Sequence, residues 1–230
     1  MDITQIMLAV ATAIAVLLAF YLYFTYYGSG TSGSVVLQGS TQDGKKEQTS
    51  TQNIPRSKDE QQGLTFSYTC WIRIDDFSYR FGVPKVVFVK GTPDLKAACP
   101  ALLVDGNTNS LLVKLDTFGA QETISVPNIP AKKWLFVGIA VNQESVDVYI
   151  NGTLFTHHSI SQVPKQNSSP VHTGVSGGFD GKISNLQYYT SFLDASGIQS
   201  VMSSTPKPDP ADTGAALPPY FDITWWSGRK

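Results

Sequence analysis

Short apolar runs with a two-residue period dominate the middle of the chain. Across residues 134–156 (W-L-F-V-G-I-A-V-N-Q-E-S-V-D-V-Y-I-N-G-T-L-F-T), two such runs flank Asn142-Gln143-Glu144-Ser145 and a third follows Asn151-Gly152. Asn-Gly suits a type I′ turn, in which both central residues take positive φ. Asn151 and Gly152 are therefore predicted to form a hairpin turn, with Ile150 facing Thr153 and Val148 facing Phe155. A four-residue turn upstream pairs Val141 with Val146 and Ile139 with Val148. Alternation then puts Leu135, Val137, Ile139, Val141, Val146, Val148, Ile150 and Phe155 on one face, the predicted core. The other face holds Trp134, Phe136, Gly138, Ala140, Asp147, Tyr149 and Leu154. Its mixed character marks it as half-covered or as a binding surface.

The same period begins at Leu64. Phe66, Tyr68, Cys70, Ile72 and Ile74 share one face, and Thr65, Ser67, Thr69, Trp71 and Arg73 share the other, as in a half-buried antiparallel strand. Residues 85–90, 101–104 and 111–115 read as further strands. Asp105-Gly106-Asn107 forms a turn, and Pro127 and Pro130 mark the loop before Trp134. After a polar loop at 162–170, residues 171–175 lead through Gly177-Gly178 into a strand over 179–189. Alternation fails there between Ile183 and Leu186, which predicts a bulge. Residues 194–203 read as one short helix with Ile198, Val201 and Met202 facing in. Many short strands separated by turn signals predict an all-β, antiparallel two-sheet sandwich.

The N-terminal pattern is different. Residues 6–24 carry no charge, and Thr12 is their one polar side chain apart from tyrosines. As a helix this run spans roughly 30 Å, the thickness of a bilayer's hydrocarbon core. Tyr21, Tyr23, Tyr26 and Tyr27 gather at its far end, where aromatic rings favour the membrane–water boundary. The rival reading, a cleaved signal peptide, wants a basic start and a small-residue cleavage motif; Asp2 is the only charge ahead of the run and no A-x-A follows it. The expectation is a retained transmembrane helix over 1–27, anchored in the lipid bilayer by Ile6, Leu8, Val10, Ile14, Leu17, Leu18, Phe20, Tyr21, Tyr23 and Phe24. Lys45 and Lys46 are balanced by Asp43 and Glu47, so charge does not set the orientation.

Residues 28–62 are rich in Gly, Ser, Thr and Gln and read as a polar linker. Its one apolar patch, Val35-Val36-Leu37, is able to add an edge strand. The sandwich is assigned to 63–204, followed by a Pro-rich tail over 205–230. The tail ends in Tyr220, Phe221, Trp225 and Trp226, a candidate partner-binding anchor. The alternative is a last strand that folds back on the sandwich.

Composition narrows the classes. A chain of 230 residues at 42% hydrophobic can bury one good core. With 17 basic and 18 acidic residues it has no electrostatic footprint for nucleic acid. Two cysteines, Cys70 and Cys99, make neither a disulfide framework nor a zinc site. They are a candidate disulfide in an oxidising compartment, or two buried thiols.

Three segments in order resemble the laminin-G-like, or concanavalin-A-like, jelly-roll family. They are F-S-Y-T-C-W-I-R at 66–73, W-L-F-V-G-I-A-V…V-D-V-Y-I-N-G-T-L at 134–154 and G-F-D-G-K-I-S-N-L-Q-Y-Y…L-D-A-S-G-I at 178–198. The resemblance covers 63–204 and implies two curved antiparallel sheets, with ligand sites on the concave face or at the loop-bearing rim. The layout of anchor, sandwich and aromatic tail also resembles minor capsid or inner-membrane virion proteins of large double-stranded DNA viruses.

Some members of that superfamily are glucanases, whose carboxylates stand in an E-x-D-x-x-E arrangement on one strand. That spacing is missing here: Glu122 and Glu144 are the only glutamates after Glu60. His157, His158 and His172 have no nearby Cys or Ser that would make a nucleophile pair. Adjacent His157 and His158 point to opposite faces of a strand, which argues against a shared metal. No catalytic residue and no metal ligand is assigned, and no cofactor is expected. Calcium is the ion that the resemblance allows, through Asp105, Asn107, Asn109 and Asp180 in two loops, although turn formation accounts for these residues better. Asn151-Gly152-Thr153 and Asn167-Ser168-Ser169 match the glycosylation sequon, with Asn151 already needed by its turn.

Three classes of function follow. The first is a non-catalytic membrane-anchored adaptor that contacts other structural proteins, such as capsid proteins, and links an internal virion membrane to its shell. The second is a membrane-anchored lectin that binds a glycan. The third, a glycosidase, is disfavoured by the missing carboxylates. A lectin predicts an open groove with Trp71 or Tyr149 exposed beside Asn and Gln side chains; an adaptor predicts those faces covered by protein. The anchor and the tail, two attachment points at opposite ends of the chain, favour the adaptor.

Overall fold

The computed structural model describes residues 3–26, 33–57, 64–203 and 206. The chain divides into two compact units, Met1–Gly33 and Ser34–Lys230.

The first unit contains helix α1 (Ile3–Tyr26). Of the anchor residues expected there, Ile14, Leu17, Leu18, Phe20 and Tyr21 are exposed. The side chains of Ile6, Leu8, Val10, Tyr23 and Phe24 lie outside the described residues. Among the described residues no helix is long and apolar enough to cross a membrane. The longest stretch of α1 with described side chains, 12–22, rises about 16 Å, roughly half of a bilayer's hydrocarbon core.

The second unit is an all-β antiparallel sandwich. Its strands are β1 (Ser34–Gln38), β2 (Gln42–Asp43), β3 (Gln48–Thr49), β4 (Phe66–Asp76), β5 (Lys85–Gly91), β6 (Ala98–Val104), β7 (Leu111–Leu115), β8 (Glu122–Val126), β9 (Trp134–Val141), β10 (Ser145–Ile150), β11 (Thr153–Ser159), β12 (Val171–Thr173) and β13 (Asp180–Tyr189). Helix α2 (Ala195–Met202) follows. One sheet runs β1-β13-β4-β9-β10-β11, with β2 also paired to β13; the other runs β3-β12-β5-β6-β7-β8.

Alternation explains the core. The inward residues of β4 (Phe66, Tyr68, Cys70, Ile72 and Ile74) join Val87, Phe88, Leu102, Val104 and Val113 of the opposite sheet in one apolar cluster. Tyr68 stacks on Phe88 with ring centroids 5.7 Å apart. In the central meander Val141 pairs with Val146 and Ile139 with Val148. Asn151 (φ 49°) and Gly152 (φ 77°) both take positive φ between β10 and β11.

Several expectations are corrected. The sandwich starts at Ser34, not at 63, because β1, β2 and β3 come from the supposed linker. Leu37 is buried in the core, and β1 pairs with backbone groups of β13 that would otherwise form an open edge. Phe155 is not a core residue. The ladder shifts so that Tyr149 pairs with Leu154 and Val148 with Thr156. Phe155 is thus the extra residue of a bulge, turned outward and 47% exposed. Cys70 and Cys99 are not bridged; both are free and buried. They belong to strands of different sheets, and stacked sheets lie about 10 Å apart, more than a disulfide's usual Cα separation of roughly 4.4–6.8 Å. Burial raises both thiols, Cys99 to about 12.

Helix α2 closes the outer face of the first sheet. Asp194 caps it, accepting from the Gly197 amide at 2.8 Å. Ile198 is fully buried against Phe136, Ala140, Tyr149, Tyr189 and Leu193. Shortening this residue removes contacts from both sides of that layer. The expected result for Ile198→Ala is a loss of about 2–4 kcal/mol, measured as a lower urea midpoint at unchanged slope.

Candidate binding surface

The ladder registers define two ends. Ser34 pairs with Tyr189 and Tyr189 with Ser67, so the chain enters the sandwich where β4 begins. The loop after β4, residues 77–84, lies at the other end. The two sheets agree in this, because Lys85 Nζ at the start of β5 donates to Phe77 O at 3.0 Å. Gly91 at the end of β5 pairs with Ala98, and the Asp116 amide just past β7 donates to Ala98 O. Loop 116–121 therefore lies at the entry end.

At the far end a hydrogen-bonded loop presents Phe81. Tyr79 donates from its hydroxyl to Gly177 O at 3.1 Å, and Arg80 Nη1 donates to Ser176 O. The Gly82 amide donates to Gly106 O at 2.9 Å. Arg80 and Gly82 both take positive φ, which turns the side chain between them outward, and Phe81 is 70% exposed. At the entry end Phe118 is 71% exposed, and its amide donates to the carbonyl of Val163, itself exposed. Both aromatics precede a glycine inside a turn, as Phe81-Gly82 and Phe118-Gly119. That F-G pairing is the sequence signal for these sites, and it was not part of the reading above.

The sheet face where a glycan groove was expected is filled. Tyr149 is buried beneath α2, and Trp71 is half-buried with its ring edge-on to Phe136 at 5.4 Å. Nearby amides are engaged: Asn151 Oδ1 accepts from the Phe136 amide at 3.0 Å, and Gln187 Nε2 donates to Asn185 Oδ1 at 2.6 Å. Trp134 stays half-exposed, with the Arg73 guanidinium 5.8 Å from its ring centre. Arg73 also grips Asp75 through two nitrogens, at 2.9 and 3.3 Å.

The polar groups that could do chemistry are paired locally. His157 Nδ1 lies 2.5 Å from Asp147 Oδ1, and Tyr149 donates to the same carboxylate at 3.5 Å. Burial, then the Asp147 and Asp194 charges, raise the Tyr149 phenol. His158 Nε2 meets Glu122 Oε2 at 3.3 Å. Ser161 donates to Glu122 Oε1 from its hydroxyl at 2.8 Å and its amide at 3.2 Å. Serine and histidine thus both bind the carboxylate instead of each other, and the trio clasps edge strand β8 of one sheet to edge strand β11 of the other. The Ser161 hydroxyl is the main cause of a Glu122 pKa held below the ordinary carboxylate value. No described hydrogen bond or ion pair joins two carboxylates.

Three of the four side chains considered for calcium, Asp105, Asn109 and Asp180, already have partners within the protein. Asp105 accepts from the Gly106 amide at 2.8 Å, the Thr108 amide at 3.1 Å and the Thr108 hydroxyl at 2.5 Å. Asn109 Nδ2 donates to Ile129 O at 3.5 Å, and Asp180 pairs with Lys45 at 2.5 Å. Among the described residues no group of three or more metal-binding side chains converges. The nearby carbonyls of Phe77 and Asp105 receive the buried Lys85 ammonium instead, at 3.0 and 3.1 Å. Asn167 donates its amide to Lys90 O and Ala97 O at 3.2 and 3.1 Å, so its sequon nitrogen already serves the fold. Tyr220, Phe221, Trp225 and Trp226 lie outside the described residues.

A sequence profile of laminin G type, described as the concanavalin A-like lectin/glucanases superfamily, matches residues 27–199. The chain belongs to that family. None of the curated proteins compared with it matches significantly. Among solved structures, the receptor binding domain of botulinum neurotoxin D is similar with a TM-score of 0.57 at 14% identity, over 74% of this chain and 52% of that one. The receptor binding domain of the C/D mosaic serotype gives 0.53 at 15% identity, over 61% and 36%. The binding domain of botulinum neurotoxin DC, solved in complex with rat synaptotagmin II, gives 0.53 at 16% identity, over 74% and 46%. At such identities the likeness is one of fold, and the chain spans between 36% and 52% of those longer chains.

Two outcomes follow. Calcium acetate is expected to leave the melting temperature where an equal ionic strength of sodium acetate puts it; a calcium-specific rise would show a cation site. The Thr108 hydroxyl is the largest cause of an Asp105 pKa held below the ordinary carboxylate value, with backbone amides adding to it. That contribution to stability is present above the unfolded carboxylate's value of about 3.9 and is lost as pH falls through the lower folded value. Asp105→Asn should therefore flatten the acid limb of a stability–pH curve measured by urea unfolding.

Proposed function

We propose that the chain is a non-catalytic, membrane-anchored binding module whose sandwich acts as an adaptor between a membrane and other proteins. The observation that carries this reading is the division of surfaces on the sandwich. Its broad outer face is occupied by its own helix α2, whereas Phe81 stands exposed on a hydrogen-bonded loop at the end opposite Ser34. Exposed aromatics on rigid supports are effective protein-contact anchors, because little entropy is lost on docking. The receptor-binding and synaptotagmin-bound neurotoxin domains of similar fold support a binding role. The uncharged run at 6–24 supports the anchor, and the exposed apolar side chains along 14–22 of α1 agree with it. In its most specific form, the adaptor is a structural virion protein joining an internal membrane to the capsid shell.

Glycan binding is the second reading. The half-exposed Trp134 beside Arg73 favours it, since a flat ring next to hydrogen-bond donors suits a sugar face.

Full-length chain should float with phosphatidylcholine vesicles in a density gradient and resist alkaline carbonate, and removal of residues 1–26 should leave it at the bottom. A photo-crosslinking phenylalanine analogue at position 81 should yield a protein adduct in the native assembly. Release by carbonate would overturn the anchor, and saturable binding of one sugar on a glycan array would replace the adaptor by the lectin.

A further inference from the structure

At the entry end of the sandwich the two sheets leave a small gap between them. Its volume is about 20 Å³, room for one water-sized particle, and Lys90, Arg56, Tyr68, Tyr188, Cys99 and Gln166 line it. Lys90 is 6% exposed. Its ammonium donates to the carbonyls of Asn167, at 3.0 Å, and of Ser169. An ammonium has three donors, so one remains for the gap. The Tyr188 hydroxyl is used up, donating to Pro55 O at 2.7 Å, which holds segment 54–56 over the opening. The Tyr68 side chain is buried and its ring lines the gap.

The charge balance of this gap is unusual. Two cations, Lys90 and Arg56, line it, and among the described lining residues there is no carboxylate, the nearest influence being that of Asp116 on Cys99. Among the described residues no ion pair neutralises Lys90. The Cys99 thiol beside it supplies no negative charge at neutral pH, because burial raises it to about 12. A buried charge is stable when it is paired as well as hydrogen-bonded. The two carbonyls meet the second need and leave the first open. A water molecule in the gap would accept from Lys90 and Tyr68 without supplying a counter-charge.

We propose that this inter-sheet gap is a binding site for one small inorganic anion of halide size, held by the Lys90 ammonium and the Tyr68 hydroxyl, with Arg56 at the mouth. A volume of about 20 Å³ suits a monatomic anion. The bound anion ties segment 54–56 and loop 166–169 to the core at the end where the chain enters the sandwich.

The test uses the full chain in detergent at fixed ionic strength, with sodium gluconate replaced stepwise by sodium chloride or sodium bromide. The melting temperature of the wild type should rise saturably with halide. Lys90→Met should lose the halide response. Because Lys90 is buried and its replacement risks the fold, Arg56→Gln, at an exposed position, serves as the second variant and should shift the halide midpoint several-fold upward. A crystal grown in bromide should show anomalous signal beside Lys90 Nζ. A wild type whose halide response equals that of both variants, or a bromide crystal with only water in the gap, would overturn the proposal.

Discussion

The outer face of the first sheet depends on one knob and one hole. Gly138 of β9 leaves a gap in a face otherwise paved by Phe136, Ala140 and Tyr149, and a side-chain carbon at that position would come within 2.7 Å of Ile198 Cδ1. The helix that carries Ile198 therefore sits close to the strands, and its far end reaches the hairpin turn, where Gln199 Nε2 donates to Gly152 O at 2.8 Å. With the middle of that face covered, most of both broad surfaces of the first sheet is committed to packing, while Trp134 and Leu154 stay partly exposed at the margin. Recognition is left to the ends and edges of the sandwich. This is the reverse of an open-faced carbohydrate binder, in which a sheet surface is kept bare and polar.

Much of the architecture was legible because it rests on local pattern. The inward faces of β4, β9 and β10 follow from a two-residue period that no later contact disturbs. The turn at Asn151 and Gly152 follows from backbone geometry alone. The short helix was legible from Asp194 and the spacing of Ile198, Val201 and Met202. What that helix covers was not, because the choice of face depends on the cavity at Gly138, which has no signature beyond a glycine in a strand.

The misreadings share a cause of another kind. A single-residue bulge moved Phe155 from the core to the surface, and a period-two argument has no means of placing a bulge in so short a strand. β1, β2 and β3 are brief and polar, and they form because β13 and β12 offer unpaired backbone to them, so their existence is a property of the neighbouring strands. Glu122 and the two adjacent histidines proved to be edge clasps and surface pairs, whose partners lie ten or more positions away in the chain. Phe81 and Phe118 escaped attention because an isolated aromatic in a turn carries no periodicity.

The antiparallel pairing of β1 with β13 also has a mechanical side. The chain enters at Ser34 and the Phe81 loop lies at the opposite end, so tension drawn between those points runs along the strands. Such a pull strains the rungs of the β1–β13 ladder in shear, all at once, instead of peeling them apart in turn. A sandwich held this way yields at higher force than one tugged across its strands, a useful property in any link that bears load.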